Sequence, residues 1–251
     1  MALIRTLVII PALNEEAALP STLAALASAQ PGVDVVVVDD GSVDRTRDVA
    51  AAGGATVLSL PFNLGVGSAV RAGLHFARDR GFDRAVVFDA DGQHDPRAID
   101  DLLAALDAGA DIALASRFAE GTDAYPVGRV RKSAMRFMAG FVARLTHQRF
   151  TDPTSGFRAF DRSAIELLSR VYPVEYLADT VEVLLIAASA GLRLQEIPSS
   201  MKVRSLGVPS TRRFRLIANY LRVLVGLMGA AAFRAPYRRV NTARRPPEDT
   251  A

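Results

Sequence analysis

The sequence contains no cysteine, which excludes disulfides and any metal site built on thiolates. It contains no run of about 18 uncharged apolar residues, so no spanning helix is expected. No signal peptide is legible: residues 1–10 hold one Arg and a short apolar run that leads straight into a polar stretch, which reads as a first strand. Phosphate-loop chemistry lacks its Gly-Lys-Ser/Thr segment. Gly65-Val66-Gly67 has no third glycine to complete a dinucleotide fingerprint, and no nucleophile elbow is present. There is no internal repeat, and no low-complexity linker before about residue 235.

What is present is enough for one large α/β domain. Half of the 251 residues are apolar, which builds a sizeable core but leaves no room for two full-sized domains. The net charge of +3 hides an asymmetry: residues 201–251 carry 11 Lys/Arg against 2 Asp/Glu, and the remainder carries 19 against 25. A basic C-terminal segment on a mildly acidic body points to a polyanionic surface as partner. Nucleic acid would require aromatic platforms among the basic residues, and the tail has almost none, so no nucleic-acid partner is expected. From residue 235 onward the mixture of Pro, Arg and acidic residues reads as a disordered, solubilising tail.

Apolar runs alternate with helical text. Strands are predicted over 7–10, 33–38, 56–60, 85–88 and 112–115. Helices are predicted over 15–29, from an Asp44 cap to about 52, over 67–80, and from Pro96, where the missing N–H costs nothing. Continuous apolar strands separated by helices imply a parallel sheet covered on both faces, and such sheets bind ligands at the carboxyl ends of their strands. The polar residues fall at those ends. Glu15, Asp39, Asp40, Asp89 and Asp91 bring up to five carboxylates to one rim, an arrangement that repels itself unless a cation or cationic ligand sits there. Asp89-Ala90-Asp91 is the sharpest of these signals. Two carboxylates one residue apart, just past a buried strand, can both reach a hard divalent cation, with Gln93 or His94 adding a ligand. Taken alone, an Asp-x-Asp pair is more often a solvated turn. An EF-hand is excluded, because the glycine falls at the fourth position of the loop rather than the sixth.

Five segments in order make the pattern specific. Pro11-Ala12-Leu13-Asn14-Glu15, Val38-Asp39-Asp40-Gly41-Ser42, Asn63-Leu64-Gly65 and Asp89-Ala90-Asp91-Gly92-Gln93-His94 resemble the family 2 glycosyltransferases. Ser116-Arg117 and Asp152-Pro153-Thr154-Ser155-Gly156-Phe157-Arg158 resemble the polyprenyl-phosphate (dolichyl-phosphate) mannosyl- and glucosyltransferase branch. The resemblance covers about residues 5–230. It implies a nucleotide-diphospho-sugar transferase (GT-A, Rossmann-like) α/β fold with a mostly parallel central sheet and a C-terminal amphipathic helix. It also implies that Pro11, Ala12, Asn14, Glu15, Asp39 and Asp40 hold the donor with Asp89. Mg²⁺ or Mn²⁺ would sit on Asp89, Asp91 and Gln93, and Arg117, Arg131 and Arg204 would meet phosphates of donor and acceptor. Guanidinium suits that task because its planar donors pair with phosphate bidentately.

The chain departs from the wider family in lacking tryptophan, so the processive Gln-x-x-Arg-Trp motif is absent. Asp179 and Glu182 lie near where an acidic base motif would stand. A phosphate acceptor is already an anion near neutral pH and needs little base assistance, which favours a lipid phosphate over a sugar hydroxyl. The basic stretch 130–149 and the more apolar 214–233 have helical spacing. The uncharged part of the latter, 223–233, is 11 residues, too short to span, so it reads as an interfacial helix or as a core or dimer contact.

The resulting expectation is a catalytic domain over 1–210, an amphipathic helix over 211–234 and a basic tail over 235–251. The enzyme would be an inverting transferase that moves a hexose from a GDP- or UDP-hexose to a polyprenyl phosphate. It would act in the cytoplasm, peripherally on the inner face of the membrane. Transfer to a hydroxyl of a glycan or secondary metabolite is the alternative chemistry, and a non-catalytic nucleotide-sugar-binding protein is the alternative class. A nucleotidyltransferase would carry a Gly-rich, Arg-containing first loop where Pro11-Ala12-Leu13-Asn14-Glu15 stands.

Overall fold

The structure, a computed structural model, describes residues 3–118, 139–140, 142–144, 148, 150–174 and 178–199. Arg131, Arg204, most of the stretch 130–149, the segments 211–234 and 235–251, and the Asp179 side chain lie outside the described residues. In chain order come β1 (Thr6–Ala12), α1 (Leu19–Ala29), β2 (Asp34–Asp39), α2 (Thr46–Ala52), β3 (Thr56–Ser59) and α3 (Val66–Asp79). They are followed by β4 (Arg84–Val87), α4 (Ala98–Asp107), β5 (Ile112–Ser116), β6 (Arg158–Phe160), α5 (Arg162–Val171), α6 (Ala178–Ser189) and β7 (Leu194–Pro198).

These strands form one sheet in the order β3-β2-β1-β4-β6-β5-β7. Every neighbouring pair is parallel except those made by β6, which runs antiparallel to both β4 and β5. The five predicted strands are therefore present in a mostly parallel sheet, and β6 and β7 are additions. β6 is three fully buried residues with an arginine at its head, too short and too charged to show as an apolar run.

β1 illustrates why the middle of the sheet is continuous in apolar residues. Leu7 and Ile9 point into a core shared with α3, α5 and α6, whereas Val8 and Ile10 point into a second core against α1 and α4. All four are at most 1% exposed, and burying each contributes about 1.5–3 kcal/mol. Helix α1 begins at Leu19 rather than at Glu15. Pro20 sits at its first turn, and the preceding residues form a turn in which the N–H groups of Ala18 and Leu19 donate to Glu15 O.

Helix α3 is held close by two glycines. A Cβ on Gly73 would lie 2.3 Å from Ile9 Cγ2, and one on Gly67 would lie 2.3 Å from the Pro173 carbonyl oxygen. The second contact is backbone and cannot swing aside. Gly67→Ala should cost about 1–3 kcal/mol, lowering the thermal midpoint by roughly 2–4 °C per kcal/mol. Gly140→Ala, where a Cβ meets none of the described residues within 4 Å, should stay within about 1 kcal/mol of the wild type. Thermal denaturation of both variants checks the pair.

Candidate active site

From β1 the chain steps outward to β2 and β3, then returns to place β4 on the other side of β1. The topological switch therefore lies between β1 and β4, where a crevice opens beyond the strand ends. The ends of β1, β2 and β4 bring Pro11, Ala12, Asn14, Glu15, Asp39, Asp40, Asp89, Asp91 and Gln93 to this one edge. Ala12 pairs in register with Asp39, and the Asp40 N–H donates to Ala12 O at 2.9 Å.

On the β2 side the loops are fastened to one another. Asn14 has φ +54°, a conformation that turns its side chain back to accept from the Val43 N–H at 2.9 Å, while its own N–H donates to Ser42 Oγ at 2.9 Å. The Glu15 N–H donates to Thr46 Oγ1 at 2.8 Å. Asp39 is buried, and its Oδ1 accepts from the Ser42 N–H at 3.0 Å. A cavity of about 530 Å³ opens here, lined by Asp39, Gly41, Ser42, Arg47, Ser59 and Leu60 among others. Gly41 is obligatory: its φ is +73°, and a Cβ would lie 2.5 Å from the Phe62 carbonyl carbon. Burial pushes the nearby Asp44 carboxyl upward, but hydrogen bonds from the Thr46 hydroxyl and from the N–H groups of Thr46 and Glu16 outweigh it and hold the group below the usual carboxylate range. Arg47, which the sequence reading passed over, stands on the cavity wall with Asp44 and Asp48. Only its spacing after the Asp39-Asp40 pair could have flagged it.

Asp40 faces a different task. Its two carboxylate oxygens accept from the N–H groups of Leu64 and Gly65, at 2.8 and 2.9 Å. Burial raises its pKa against the opposing effect of those two bonds. It fixes the 63–65 loop at the head of α3.

On the β4 side, residues 89–94 form a tight turn. Thr22 Oγ1 on α1 donates to Ala90 O at 2.9 Å, and Gly92 takes φ +70°. Asp91 Oδ1 accepts from the Gln93 N–H at 3.1 Å. Asp89 Oδ2 lies 3.2 Å from His94 Nε2, and a Cβ on Gly156 would lie 3.7 Å from Asp89 Oδ1. The five expected carboxylates thus share an edge without forming one cluster. Among the described residues, no group of three or more His, Cys, Asp or Glu side chains is placed to hold an ion. Asp39 and Asp40 are directed into their own loops. The donor set of Asp89 and Asp91 still fits a hard cation that takes one or two protein carboxylates and draws its other ligands from substrate phosphate and water.

Besides the phosphate contact expected of it, Arg117 has protein partners. Its Nε donates to Asp152 Oδ2 at 2.6 Å, and its Nη2 donates to Asp152 Oδ1 at 2.9 Å and to Thr154 Oγ1 at 3.2 Å. The Asp152 side chain is fully buried and that of Arg117 is 12% exposed. Glu196 on β7 accepts from the N–H groups of Thr151 and Asp152, so the loop that carries Asp152 is tied to the sheet from both sides. Arg131 and Arg204 lie outside the described residues.

Residues 7–168 match the profile of Glycosyl transferase family 2. The chain belongs to this family. It is 35% identical to the polyprenol monophosphomannose synthase of Mycolicibacterium smegmatis, over 81% of this chain and 80% of that protein. It is 34% identical to the undecaprenyl-phosphate mannosyltransferase of Micrococcus luteus, over 81% and 86%. The fold is similar to glucosyl-3-phosphoglycerate synthase from Mycobacterium tuberculosis in complex with Mn²⁺ and UDP-glucose. That match has a TM-score of 0.69 at 25% identity and covers 90% of this chain and 78% of the other.

In this family 2 glycosyltransferase the Arg117–Asp152 pair is a buried, bidentate contact whose loss leaves a carboxylate in the core. Arg117→Met should therefore destabilise the protein by about 3–5 kcal/mol. Arg97→Met, which removes the exposed partner of Asp95, should leave the stability close to that of the wild type. Urea denaturation of the two variants tests the contrast, and equal losses would contradict the burial of the Arg117 pair.

Proposed function

We propose that this glycosyltransferase moves a hexose, mannose before others, from a nucleotide diphospho-sugar to a polyprenyl phosphate with inversion at the anomeric carbon. The observation that carries the reading is the juxtaposition, across the β1–β4 switch, of the 530 Å³ cavity at Asp39 with the Asp89–Asp91 turn. Such a pairing would offer one place for a nucleoside and a neighbouring one for its diphosphate. The two relatives named for polyprenyl or undecaprenyl phosphate and mannose support the substrate class.

In this reading Asp39 in the cavity and the adjoining turn of Pro11, Ala12, Asn14 and Glu15 hold base and ribose, and Arg47 meets the anionic part of the donor. Asp89, Asp91 and Gln93 hold Mg²⁺ or Mn²⁺, which supplies charge neutralisation of the departing diphosphate when bound. The acceptor phosphate oxygen forms the new bond to the anomeric carbon as the bond to the diphosphate oxygen breaks. The acceptor is already an anion, so no proton must be removed from it first. Asp40 and Arg117 serve by holding the 63–65 and 151–154 loops at the rim. Arg131 and Arg204 are proposed to meet acceptor and donor phosphates.

Asp91→Asn keeps the shape of the side chain but is a far weaker ligand for a hard cation. It should lower transfer by about 10²-fold or more at unchanged folding. The assay is a panel of GDP- and UDP-hexoses with undecaprenyl phosphate and Mg²⁺ or Mn²⁺, with lipid-linked product read by mass. Soluble acceptors run in parallel. Product on a sugar hydroxyl and none on the lipid would replace this reading with the hydroxyl-acceptor one.

A lipid acceptor also calls for action at a membrane surface. No helix among the described residues is long and apolar enough to cross a membrane, and the basic segment 201–251 is proposed to supply the contact. Each Lys or Arg near an anionic surface contributes about 1 kcal/mol, and salt screens it. Cosedimentation with anionic vesicles should weaken when Arg212, Arg213 and Arg215 are replaced by Gln, and mainly at low ionic strength. Wild-type protein that stays in the supernatant at all salt concentrations would rule out this contact.

A further inference from the structure

We propose that His94 is a positioning residue that donates Nε2–H to the Asp89 carboxylate and fixes its orientation toward the divalent cation. The inference rests on Asp89 and Asp91 being cation ligands. His94 is 6% exposed, and its ring lies against Phe157 at 4.7 Å and edge-on to Phe88 at 6.1 Å. Its Nε2 stands 3.2 Å from Asp89 Oδ2. Its Nδ1 is buried and has no hydrogen-bond partner among the described residues.

These facts select a tautomer. A proton on Nδ1 would be a buried donor with nothing to accept it, which is the costly arrangement. A bare Nδ1 lone pair among aromatic rings is the lesser burden, so the proton resides on Nε2, where Asp89 Oδ2 accepts it. A nitrogen that carries a proton cannot also ligate a metal. His94 therefore acts through Asp89 and is not itself the additional ligand that the sequence spacing allowed. Packing against Phe157 and the edge of Phe88 restricts the ring, and the ring restricts the carboxylate. Metal-binding side chains are commonly oriented by such outer partners.

The test measures Mn²⁺ binding by electron paramagnetic resonance in the presence of UDP or GDP, with no transfer required. His94→Phe keeps an aromatic ring against Phe157 and Phe88 but removes the donor, and should weaken Mn²⁺ binding by about 10- to 100-fold. His94→Gln restores an N–H near the Nε2 position and should recover most of that loss. Wild-type affinity in His94→Phe, or equal weakening in both variants, would overturn the proposal. Asp91→Asn separates the two layers of the argument. If it binds Mn²⁺ as the wild type does, the cation reading itself fails. If it loses Mn²⁺ while His94→Phe does not, only the role of His94 fails. The tautomer is also open to direct measurement in the unmodified protein by ¹⁵N NMR of its three histidines. A protonated Nδ1 at His94 would refute the assignment however the variants fold.

Discussion

β1 is hydrogen-bonded along both edges, to β2 on one side and to β4 on the other, and the whole site depends on that double pairing. It holds the Asp39 cavity and the Asp89–Asp91 turn at a fixed separation, with the Pro11–Glu15 turn between them. Neither half is rigid by virtue of its own sequence. The 39–46 loop is fastened by Asn14, Ser42 and Thr46, and the 89–94 turn by Thr22 from α1. Both sets of fasteners spring from the strand and helix that flank the β1 carboxyl end. The four apolar side chains that bury β1 on both faces therefore also set the geometry of the chemistry above them.

Charge at the rim is divided by task rather than pooled. Five carboxylates at one edge would repel one another, and the structure gives several of them local donors. Asp40 receives two backbone N–H groups, Asp39 receives one, and Asp91 receives one from its own turn. The same logic reaches the other side of the sheet, where Asp152 is compensated by a guanidinium and Glu196 by backbone N–H groups. Asp89 and Asp91 offer a pair of carboxylates, a number that would leave room for phosphate oxygens on the proposed cation.

The sequence discloses those parts of this arrangement that are local. Strands β1 to β5 are continuous apolar runs, and the acidic residues that end them can be placed on one edge without knowing anything further. β6 could not be read. Its three residues begin with Arg158, and its burial depends on lying between β4 and β5. β7 alternates half-buried and exposed residues with Glu196 at its centre, and looks like loop text. In the site, Asp89 and Asp91 were legible from position, but the partners of Asp40 and Arg117 were not. Asp40 reaches N–H groups 24 and 25 residues away, and Arg117 reaches a carboxylate 35 residues away. Resemblance alone assigned both side chains to substrate; a motif records which residues recur and not which protein neighbours each one also touches.

The reversed strand β6 has a consequence for how such an enzyme can diversify. Because β6 runs opposite to β5, the chain that leaves the sheet after Ser116 re-enters it beside its own point of departure. The two ends are clipped together there, Ser116 Oγ to Thr151 Oγ1 at 2.6 Å and Arg117 to Asp152. The clips hold the two strand ends together at the base of the connection between them. The register of β5 against β6 is therefore decoupled from the length of that connection, and doubling a closed loop costs only about 0.6 kcal/mol in chain entropy. Such a connection can lengthen or shorten while the paired strands stay as they are.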